Sequence, residues 1–437
     1  MFPLLVFTSM NVTQPGSSSS AIQSVVEACL QAYARFGVDL GLTRVEKLLA
    51  DLGNPHRAVP TIHVAGTNGK GSVCAYLSAV LTAAGYRTGR YTSPHLVDWT
   101  ERICIDQVPI SWLDLWESLE HVEQAIDAES PTPTQFEVLT AAAWQYFAAQ
   151  RVDVAVVEVG LGGRLDATNV CDQPLATVIV SIGRDHWQRL GDTLAAIAYE
   201  KAGIIKPTVP IIAGPLPSEA QAVVTARATE VQAPLTWVSP AEVIDVSPTG
   251  ATLQAGGIQY PQTLLGDHQR VNSACAIAAL QVLRAQGWHI SPAAIARGMA
   301  QVRWPGRLQQ SQWQGQPLLI DGAHNVDAAR SLRAYVDKTY PGRAVTWLMG
   351  MLQTKDHPGV FAALLSSGDR LHLVPVPGHL SAEPAELAAI AHQTCSAILT
   401  HVHPDLATGL AAAIQTSPVV LCGSLYLIGH FYDCYGA

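Results

Sequence analysis

A glycine-rich turn between an apolar strand and a helix is the stretch of this chain whose residue types best fit a chemical role. Residues 62–65 have the pattern of a buried strand, three glycines fall within residues 66–71, and residues 73–81 have a helical pattern. Such a turn can point backbone N–H groups at an anion beside the positive end of a helix dipole, and Lys70 can reach outer phosphates. Val64 stands where the strict P-loop pattern has its first glycine, so a turn that binds nothing is the alternative.

A second candidate site lies where two other strands end. Glu158 interrupts the apolar run at residues 152–159, and an isolated buried carboxylate is costly unless it is paired or binds a cation. Together with His186 and a hydroxyl from Ser72 or Ser93, it offers Mg²⁺ three ligands, and water or nucleotide oxygens can complete the octahedron. Imidazole is not a preferred ligand of Mg²⁺, so a hydrogen bond between His186 and Glu158 without a metal is an equal alternative.

Four further residues have both a chemical and an ordinary interpretation. Lys201 follows Glu200 in an apolar helix, where a surface ion pair is favoured over a buried, reactive amine. Asp321 and His324 end a strand of the second half, where they can hold a ribose or a second substrate, or cap a helix. Arg307 has the planar donor fork that suits a phosphate, but a solvated arginine in a linker is favoured from the sequence.

The elements that position these residues alternate between strands and helices. This alternation predicts a doubly wound, mostly parallel sheet of the P-loop type, whose ligands bind at the carboxyl ends of the strands. The pattern breaks at residues 302–307 and then restarts, which predicts a smaller α/β domain. We therefore expect a disordered lead at residues 1–20, a first domain at 21–302 and a second at 303–437.

Composition excludes several classes of protein. A formal net charge of -9 leaves no basic face for a nucleic acid. The eight cysteines include no CxxC pair, which is typical of a reducing compartment. The chain has no run of about 18 apolar residues, and its short apolar start lacks the basic region of a signal peptide. We expect a cytoplasmic monomer.

Ten stretches, taken in order, resemble the folylpolyglutamate synthase and dihydrofolate synthase family, within the superfamily of Mur-type ATP-dependent amide ligases. The matching stretches are residues 66–72, 92–96, 134–137, 158–169, 185–186, 200–204, 266–272, 305–307, 321–325 and 422–427. Each is weak alone, but the ordered set is specific. The resemblance implies a nucleotide-binding ligase domain followed by a smaller Rossmann-like domain, with the active site between them.

The resemblance also implies a role for each matching residue. The nucleotide contacts are Thr67, Asn68, Gly69, Lys70, Gly71, Ser72, Asn272, Arg307 and Asp321. The pterin-side substrate contacts are Leu42, Thr43, Arg44, Thr134, Gln135, Phe136, Glu137, Leu165, Asp166 and Ala167. Ser93, Glu158 and His186 hold the first Mg²⁺, so Ser72 becomes support for the phosphate loop. Lys201 matches a lysine that is carbamylated and helps to position a second Mg²⁺, which reverses the preference stated above. His324 lies near the phosphates or the incoming glutamate, and Lys70, Lys201 and His324 form the catalytic set.

The implied reaction is ATP-dependent ligation of L-glutamate to dihydropteroate or a reduced folate through an acyl phosphate. Three departures from the family pattern touch walls that can tune the acceptor: Gln135, the run at residues 187–189, and Val326. The choice between the two acceptors stays open. Another Mur-type amino-acid ligase, and a regulator that hydrolyses ATP without ligation, are the competing hypotheses.

Overall fold

The computed structural model describes residues 19–34, 39–127, 129–247, 250–416 and 418–436. The strands of the larger sheet are β1 (Thr61–Ala65), β2 (Thr88–Tyr91), β3 (Ile103–Ile105), β4 (Val108–Pro109), β5 (Val154–Glu158), β6 (Ala176–Ile179), β7 (Ile211–Ala213) and β8 (Leu235–Trp237). Their order is β4-β3-β2-β5-β1-β6-β7-β8. All neighbours pair in parallel from β2 to β8, whereas β3 and β4 pair antiparallel at one edge.

Two further sheets complete the architecture. A small antiparallel sheet contains β9 (Glu242–Ser247), β10 (Gly250–Ala255) and β11 (Ile258–Pro261). The second α/β unit contains β12 (Gln309–Trp313), β13 (Gln316–Ile320), β14 (Thr346–Met349), β15 (Arg370–Leu373), β16 (Leu399–Val402) and β17 (Val419–Cys422). Its order is β12-β13-β17-β14-β15-β16, with β12 antiparallel to β13 and the other pairs parallel.

The helices of the first unit are α1 (Ser19–Ala34), α2 (Thr43–Asp51), α3 (Lys70–Ala83), α4 (Trp112–Ala125), α5 (Gln135–Ala149), α6 (Trp187–Leu190), α7 (Leu194–Ala202), α8 (Ser218–Glu230), α9 (His268–Ala285) and α10 (Pro292–Gln301). Those of the second unit are α11 (Val326–Thr339), α12 (His357–Leu364), α13 (Pro384–Thr394), α14 (Leu406–Ala413) and α15 (Leu425–Tyr435). Short 3-10 turns occur at Pro55–Ala58 and Trp99–Arg102. Helix α1 begins two residues inside the predicted lead, and residues 1–18 lie outside the described ranges.

Buried strands sandwiched between helices explain the apolar runs of the sequence. In β5, Val154 and Val156 pack with α3, α9 and α10, whereas Ala155 and Val157 pack with α1, α4 and α5 on the other face. Alternate residues of a strand point to opposite faces, so a strand covered on both faces is mostly apolar along its length. The mostly parallel sheet followed by a smaller α/β unit confirms the predicted fold class. Within the described ranges, no helix is long and apolar enough to cross a membrane.

The segment that joins the two units packs against the phosphate-loop helix. Trp304 lies beside Gly71 in the first turn of α3, where an added Cβ would come within 2.7 Å of its Cζ2 atom. The guanidinium of Arg90 lies over the same indole, 5.1 Å from the ring centroid. Gly71 therefore allows the joining segment to lie against the helix that carries Lys70.

Candidate active site

The glycine loop links the end of β1 to the start of α3. Gly69 precedes the helix with φ of 86°, a conformation that favours glycine, and a Cβ there would collide with the amide oxygen of Asn272. The backbone N–H of Thr67 donates to the carbonyl of Ser181 at 2.8 Å, and that of Asn68 to the Ser181 hydroxyl at 2.9 Å. The loop is thus fastened to the strand beside it, with the N-terminus of α3 facing the cleft.

The cleft is a cavity of about 990 Å³ between the two units. Its wall contains every predicted nucleotide contact, namely Thr67, Asn68, Gly69, Lys70, Gly71, Ser72, Asn272, Arg307 and Asp321. Ser72 is buried, and its hydroxyl accepts a hydrogen bond from Gln269 at 3.2 Å. Arg307 is half-buried and lines this cavity, so its guanidinium is within reach of a ligand there, and its nucleotide contact stays a prediction.

Glu158 ends β5 inside the same cleft with little to neutralise it. Its Oε2 accepts a backbone hydrogen bond from Ser93 at 3.3 Å, and its Oε1 lies 3.8 Å from Nζ of Lys70. Burial raises the pKa of Glu158, and the charge of Lys70 opposes that rise. Arg307 and Arg102 also act on this charge from farther away, and the one long hydrogen bond leaves carboxylate lone pairs free for a metal ion.

His186 stands beside Glu158 on the cavity wall without bonding to it. The residue has φ of 52° and immediately precedes α6, and its Nε2 lies 4.0 Å from Oδ1 of Asp185. Within the described ranges, no group of three His, Cys, Asp or Glu side chains is arranged as a metal site. Glu158 and Ser93 supply oxygen atoms of the kind that Mg²⁺ prefers, and the metal set of Ser93, Glu158 and His186 stays a prediction.

The side chain of Lys201 points into the protein, whereas that of the preceding residue, Glu200, points towards the surface. Nζ of Lys201 donates to the carbonyl of Gly66 at 3.0 Å, and the side chain lies on the wall of the cleft. Burial, with a further contribution from the charge of Lys70, lowers the pKa of Lys201 to about 7. Glu200 pairs with Arg164 at 2.8 Å, so the surface ion pair of Lys201 with Glu200 favoured from residue types is wrong.

A second cavity of about 410 Å³ adjoins the first, and its wall contains most of the predicted acceptor contacts: Thr134, Gln135, Phe136, Glu137, Leu165, Asp166 and Ala167. Thr134 caps α5, and its N–H donates to Oε2 of Glu137 at 2.7 Å. Leu42, Thr43 and Arg44 do not line this cavity. Arg44 lies behind the wall, where its Nε donates to Glu137 at 3.1 Å.

The second unit closes the cleft through residues 321–325. Asp321 accepts the backbone N–H groups of Leu308 and Ala323, each at 2.9 Å, and so shapes the turn. The residue that caps helix α11 is Asn325, whose Oδ1 accepts the N–H of Ala328 at 3.0 Å. His324 lies on the wall of both cavities, and its Nε2 is 3.4 Å from Oδ2 of Asp185.

Comparisons with known proteins identify the family. The model of the Mur ligase middle domain matches residues 64–280, and that of the dihydrofolate synthetase C-terminal domain matches residues 306–434. The dihydrofolate synthase/folylpolyglutamate synthase of Bacillus subtilis (strain 168) is 38% identical over 352 residues, 77% of this chain and 81% of that protein. The folylpolyglutamate synthase of Lacticaseibacillus casei is 35% identical over 422 residues, 92% of this chain and 95% of that protein. This chain belongs to the folylpolyglutamate synthase and dihydrofolate synthase family.

Solved structures of the family have the same fold. The folylpolyglutamate synthase of Mycobacterium tuberculosis complexed with ADP has a TM-score of 0.87 and 32% identity, covering 96% of this chain and 99% of that one. The E. coli FolC in complex with DHPP and ADP has a TM-score of 0.82 and 30% identity, covering 94% of this chain and 97% of that one.

In this family member, the two units are joined by a hydrogen-bonded latch of Asn68, Asp185, Asn325 and Lys355. The latch was not predicted from the sequence. Asn68 and Asn325 exchange amide hydrogen bonds of 3.1 and 2.9 Å, and Nδ2 of Asn325 also donates to Asp185 at 3.1 Å. Nζ of Lys355 donates to the other oxygen of Asp185 at 2.8 Å. Burial alone raises the pKa of Asp185, but the hydrogen bond and charge of His324 and the charge of Lys355 hold it well below its usual value. Asp185 could have been predicted as a site residue because it precedes His186 in the sequence. Nothing in the sequence around Lys355 indicated its role.

Proposed function

We propose that this protein is an ATP-dependent ligase that joins L-glutamate to the carboxylate of a pteroate or folate acceptor. It acts as a dihydrofolate synthase, a folylpolyglutamate synthase or both. The observation that carries this proposal is the shared wall of the two cavities, to which Ser93, Gly160, His186 and His324 belong. A nucleotide on the glycine loop and an acceptor in the second cavity would therefore meet beside Glu158.

The chemistry requires positioning and charge neutralisation more than a strong nucleophile. An acceptor carboxylate oxygen attacks the γ-phosphorus of ATP, and the bond to the bridging oxygen breaks to release ADP. The amine of glutamate then attacks the acyl carbon, and inorganic phosphate leaves with the acyl-phosphate oxygen. Lys70 and Arg307 neutralise the phosphoryl oxygens, and the N-terminus of α3 adds its dipole. His324 lines both cavities, which supports a role for it near the phosphates or the incoming glutamate.

Ser93, Glu158 and His186 would hold a Mg²⁺ ion, which supplies charge neutralisation on the phosphoryl oxygens when bound. Lys201 is the proposed carbamylation site. With a pKa of about 7, a substantial share of its amine is neutral at physiological pH. The neutral nitrogen can attack CO2, forming an N–C bond and releasing one proton. The resulting carboxylate offers the cleft a second anionic ligand.

Coupled turnover tests the proposal. ADP release is measured with ATP, Mg²⁺, dihydropteroate or tetrahydrofolate, and labelled L-glutamate, omitting one component at a time. We expect ADP release only when acceptor and glutamate are both present, and a product heavier by one glutamyl residue. ADP release without either component would indicate a non-ligating ATPase, and transfer to a peptide precursor instead would indicate another Mur-type ligase. A cytoplasmic location and a monomeric state stay predictions.

A further inference from the structure

The acceptor cavity contains a guanidinium group that forms no close ion pair with a carboxylate of the described residues. Arg102 lies on its wall, at the end of the 3-10 turn Trp99–Arg102 that follows β2. Within the described ranges, no Asp or Glu oxygen comes within 4.0 Å of this side chain, although other arginines of the chain have such partners. Taking a cation out of water without a counter-charge is costly, and burial lowers the pKa of Arg102.

The nearest acid in the sequence is already occupied. Glu101 accepts three backbone N–H groups of its own turn, from Leu96 at 2.8 Å, Val97 at 2.7 Å and Asp98 at 3.0 Å. Its carboxylate is thus committed to shaping the turn, and it leaves the guanidinium of Arg102 without an ion pair.

The acids on the wall of the cavity are committed as well. Asp39 pairs with Arg44 at 2.7 Å, and Glu137 accepts from Arg44 and from Thr134. Asp166 accepts the N–H of Leu161 at 2.7 Å and that of Thr168 at 3.0 Å. Every acid on this wall therefore has protein donors. Glu101 and Glu158 act on Arg102 only from beyond ion-pair distance, so its guanidinium is available to pair with a ligand carboxylate.

The guanidinium is also held in a fixed orientation. Its Nε donates to Nδ1 of His95 at 2.9 Å, and the ring of Trp99 lies beneath it, 4.5 Å from the guanidinium carbon. Burial and the charge of Arg102 lower the pKa of His95 to about 3, so this imidazole is neutral and its Nδ1 is an acceptor. With Nε engaged, the terminal N–H groups remain as a rigid fork, the geometry that recognises a carboxylate with two parallel hydrogen bonds.

We propose that Arg102 is the residue of the acceptor cavity that binds a carboxylate of the pterin substrate. This inference rests on the proposed ligase function and extends it to a specific recognition contact. The carboxylate has two sources, the reacting carboxylate that every acceptor carries and the α-carboxylate that only a glutamylated acceptor adds. The shared chemistry is a planar anion facing a pre-oriented guanidinium.

The test compares acceptors with and without the charge. Dissociation constants are measured in the presence of ADP for dihydropteroate, for tetrahydrofolate and for the uncharged carboxamide of dihydropteroate, with wild-type protein, Arg102→Gln and Arg102→Lys. We expect Arg102→Gln to weaken at least one carboxylate-bearing acceptor about 10-fold to 100-fold, the range for a lost charged hydrogen-bonded pair, and to change carboxamide binding less than about threefold. Arg102→Lys should recover part of the loss, because lysine keeps the charge but not the fork.

Comparing the three ligands distinguishes the possible roles of Arg102. A loss with both carboxylate acceptors assigns Arg102 to the reacting carboxylate, and a loss with tetrahydrofolate alone assigns it to the α-carboxylate. An equal loss for the carboxamide would mean that Arg102 only shapes the cavity, and would overturn the proposal. An unchanged acceptor Kd with a raised KM for glutamate would overturn it as well.

Two controls keep the result interpretable. Arg90→Gln removes a buried arginine from the neighbouring strand β2 that lines neither cavity. This variant should leave the ratio of carboxylate to carboxamide affinity unchanged, and unaltered ADP affinity in each variant shows that the nucleotide domain is folded. If the wild-type protein ligates an acceptor and Arg102→Gln binds it normally, only this inference fails. If the wild-type protein ligates neither acceptor, the proposed function itself fails.

Discussion

Asn325 in the latch between the two units can be substituted so that helix capping is kept while the hydrogen bonds across the interface are lost. Asn325→Asp changes one nitrogen to an oxygen, so it preserves the shape of the side chain and the acceptor that caps α11. It removes the two donors, to Asn68 at 2.9 Å and to Asp185 at 3.1 Å, and it brings a second carboxylate against Asp185. Capping is thus retained while the interface is made repulsive.

The expected magnitude follows from these contacts. A lost neutral hydrogen bond costs about 1 kcal/mol, and one to a charged group costs about 1.5–3 kcal/mol. Two unit charges at about 3 Å repel by roughly 5 kcal/mol at an effective dielectric of about 20, before Lys355 and His324, which face Asp185, offset part of this. The two lost hydrogen bonds cost about 2.5–4 kcal/mol together, and the repulsion that remains after this offset adds to that cost, so we expect the interface to lose more than about 4 kcal/mol in Asn325→Asp. Asn325→Ser keeps a capping hydroxyl and adds no charge, so it should lose no more than about 2.5–4 kcal/mol.

The assay measures separation of the units and not global unfolding alone. Spin labels on exposed positions of α8 and α13 report the distance between units, and thermal unfolding reports the free energy of unfolding. Asn325→Asp should lengthen the distance and lower acceptor-dependent ADP release more than Asn325→Ser does. Equal distances and equal turnover in the two variants would refute the repulsion calculated for Asp185.

Three further predictions address the cleft. Lys70→Ala should abolish glutamate-dependent ADP release with little change in melting temperature, because its amine has two weak polar contacts among the described residues, the carbonyl of Thr67 and the distant Glu158. Retained turnover would rule out the phosphate-loop assignment. Lys201→Ala should be partly rescued by small carboxylic acids. In wild-type protein at fixed dissolved CO2, the ¹³C signal of the Lys201 carbamate should rise as the pH increases through about 7. The reason is that only the neutral amine reacts with CO2, and the amine loses its proton above its pKa of about 7. A signal that does not depend on pH would contradict this. Gly71→Ala should lower the free energy of unfolding by about 1–3 kcal/mol, because the added methyl group clashes with Trp304. Denaturant unfolding measures this loss, and Trp304→Phe in the same chain should restore part of it.

The strands and turns that hold the site could be predicted because they depend on residues close together in the sequence. A strand covered by helices on both faces reads as a mostly apolar run, as β5 does up to Glu158 and β1 does apart from Thr61 and His63. The turn after β1 required glycine at position 69, where φ is positive. Polar residues at the carboxyl ends of such strands meet at one edge of the sheet, which is why Glu158 and His186 were found together.

The side-chain directions could not be predicted from neighbours in sequence. Glu200 and Lys201 are adjacent, but successive helical residues project about 100° apart, so one meets Arg164 outside while the other enters the cleft. Residue type gave no means of choosing between these two directions. Arg307 is a similar case, because its burial depends on how the two units pack.

Contacts between distant parts of the chain leave no periodic signal. Asn68 and Asn325 are 257 residues apart, and Lys355 reaches Asp185 across 170 residues. Their pairing is set by how two independently patterned domains dock, and a single sequence carries no record of that docking. The position of Arg44 behind the acceptor wall is set by a long-range contact within the first unit, since its partner Glu137 lies 93 residues away.

The contact between Trp304 and Gly71 gives the loop a second constraint besides anion binding. Trp304 also packs against the core of the first unit, so the first turn of α3 and the joining segment share one contact surface. A side chain larger than hydrogen at position 71 would displace the indole, and with it the segment that leads into the second unit. The glycine at this position therefore ties the sequence of the nucleotide loop to the path of the joining segment.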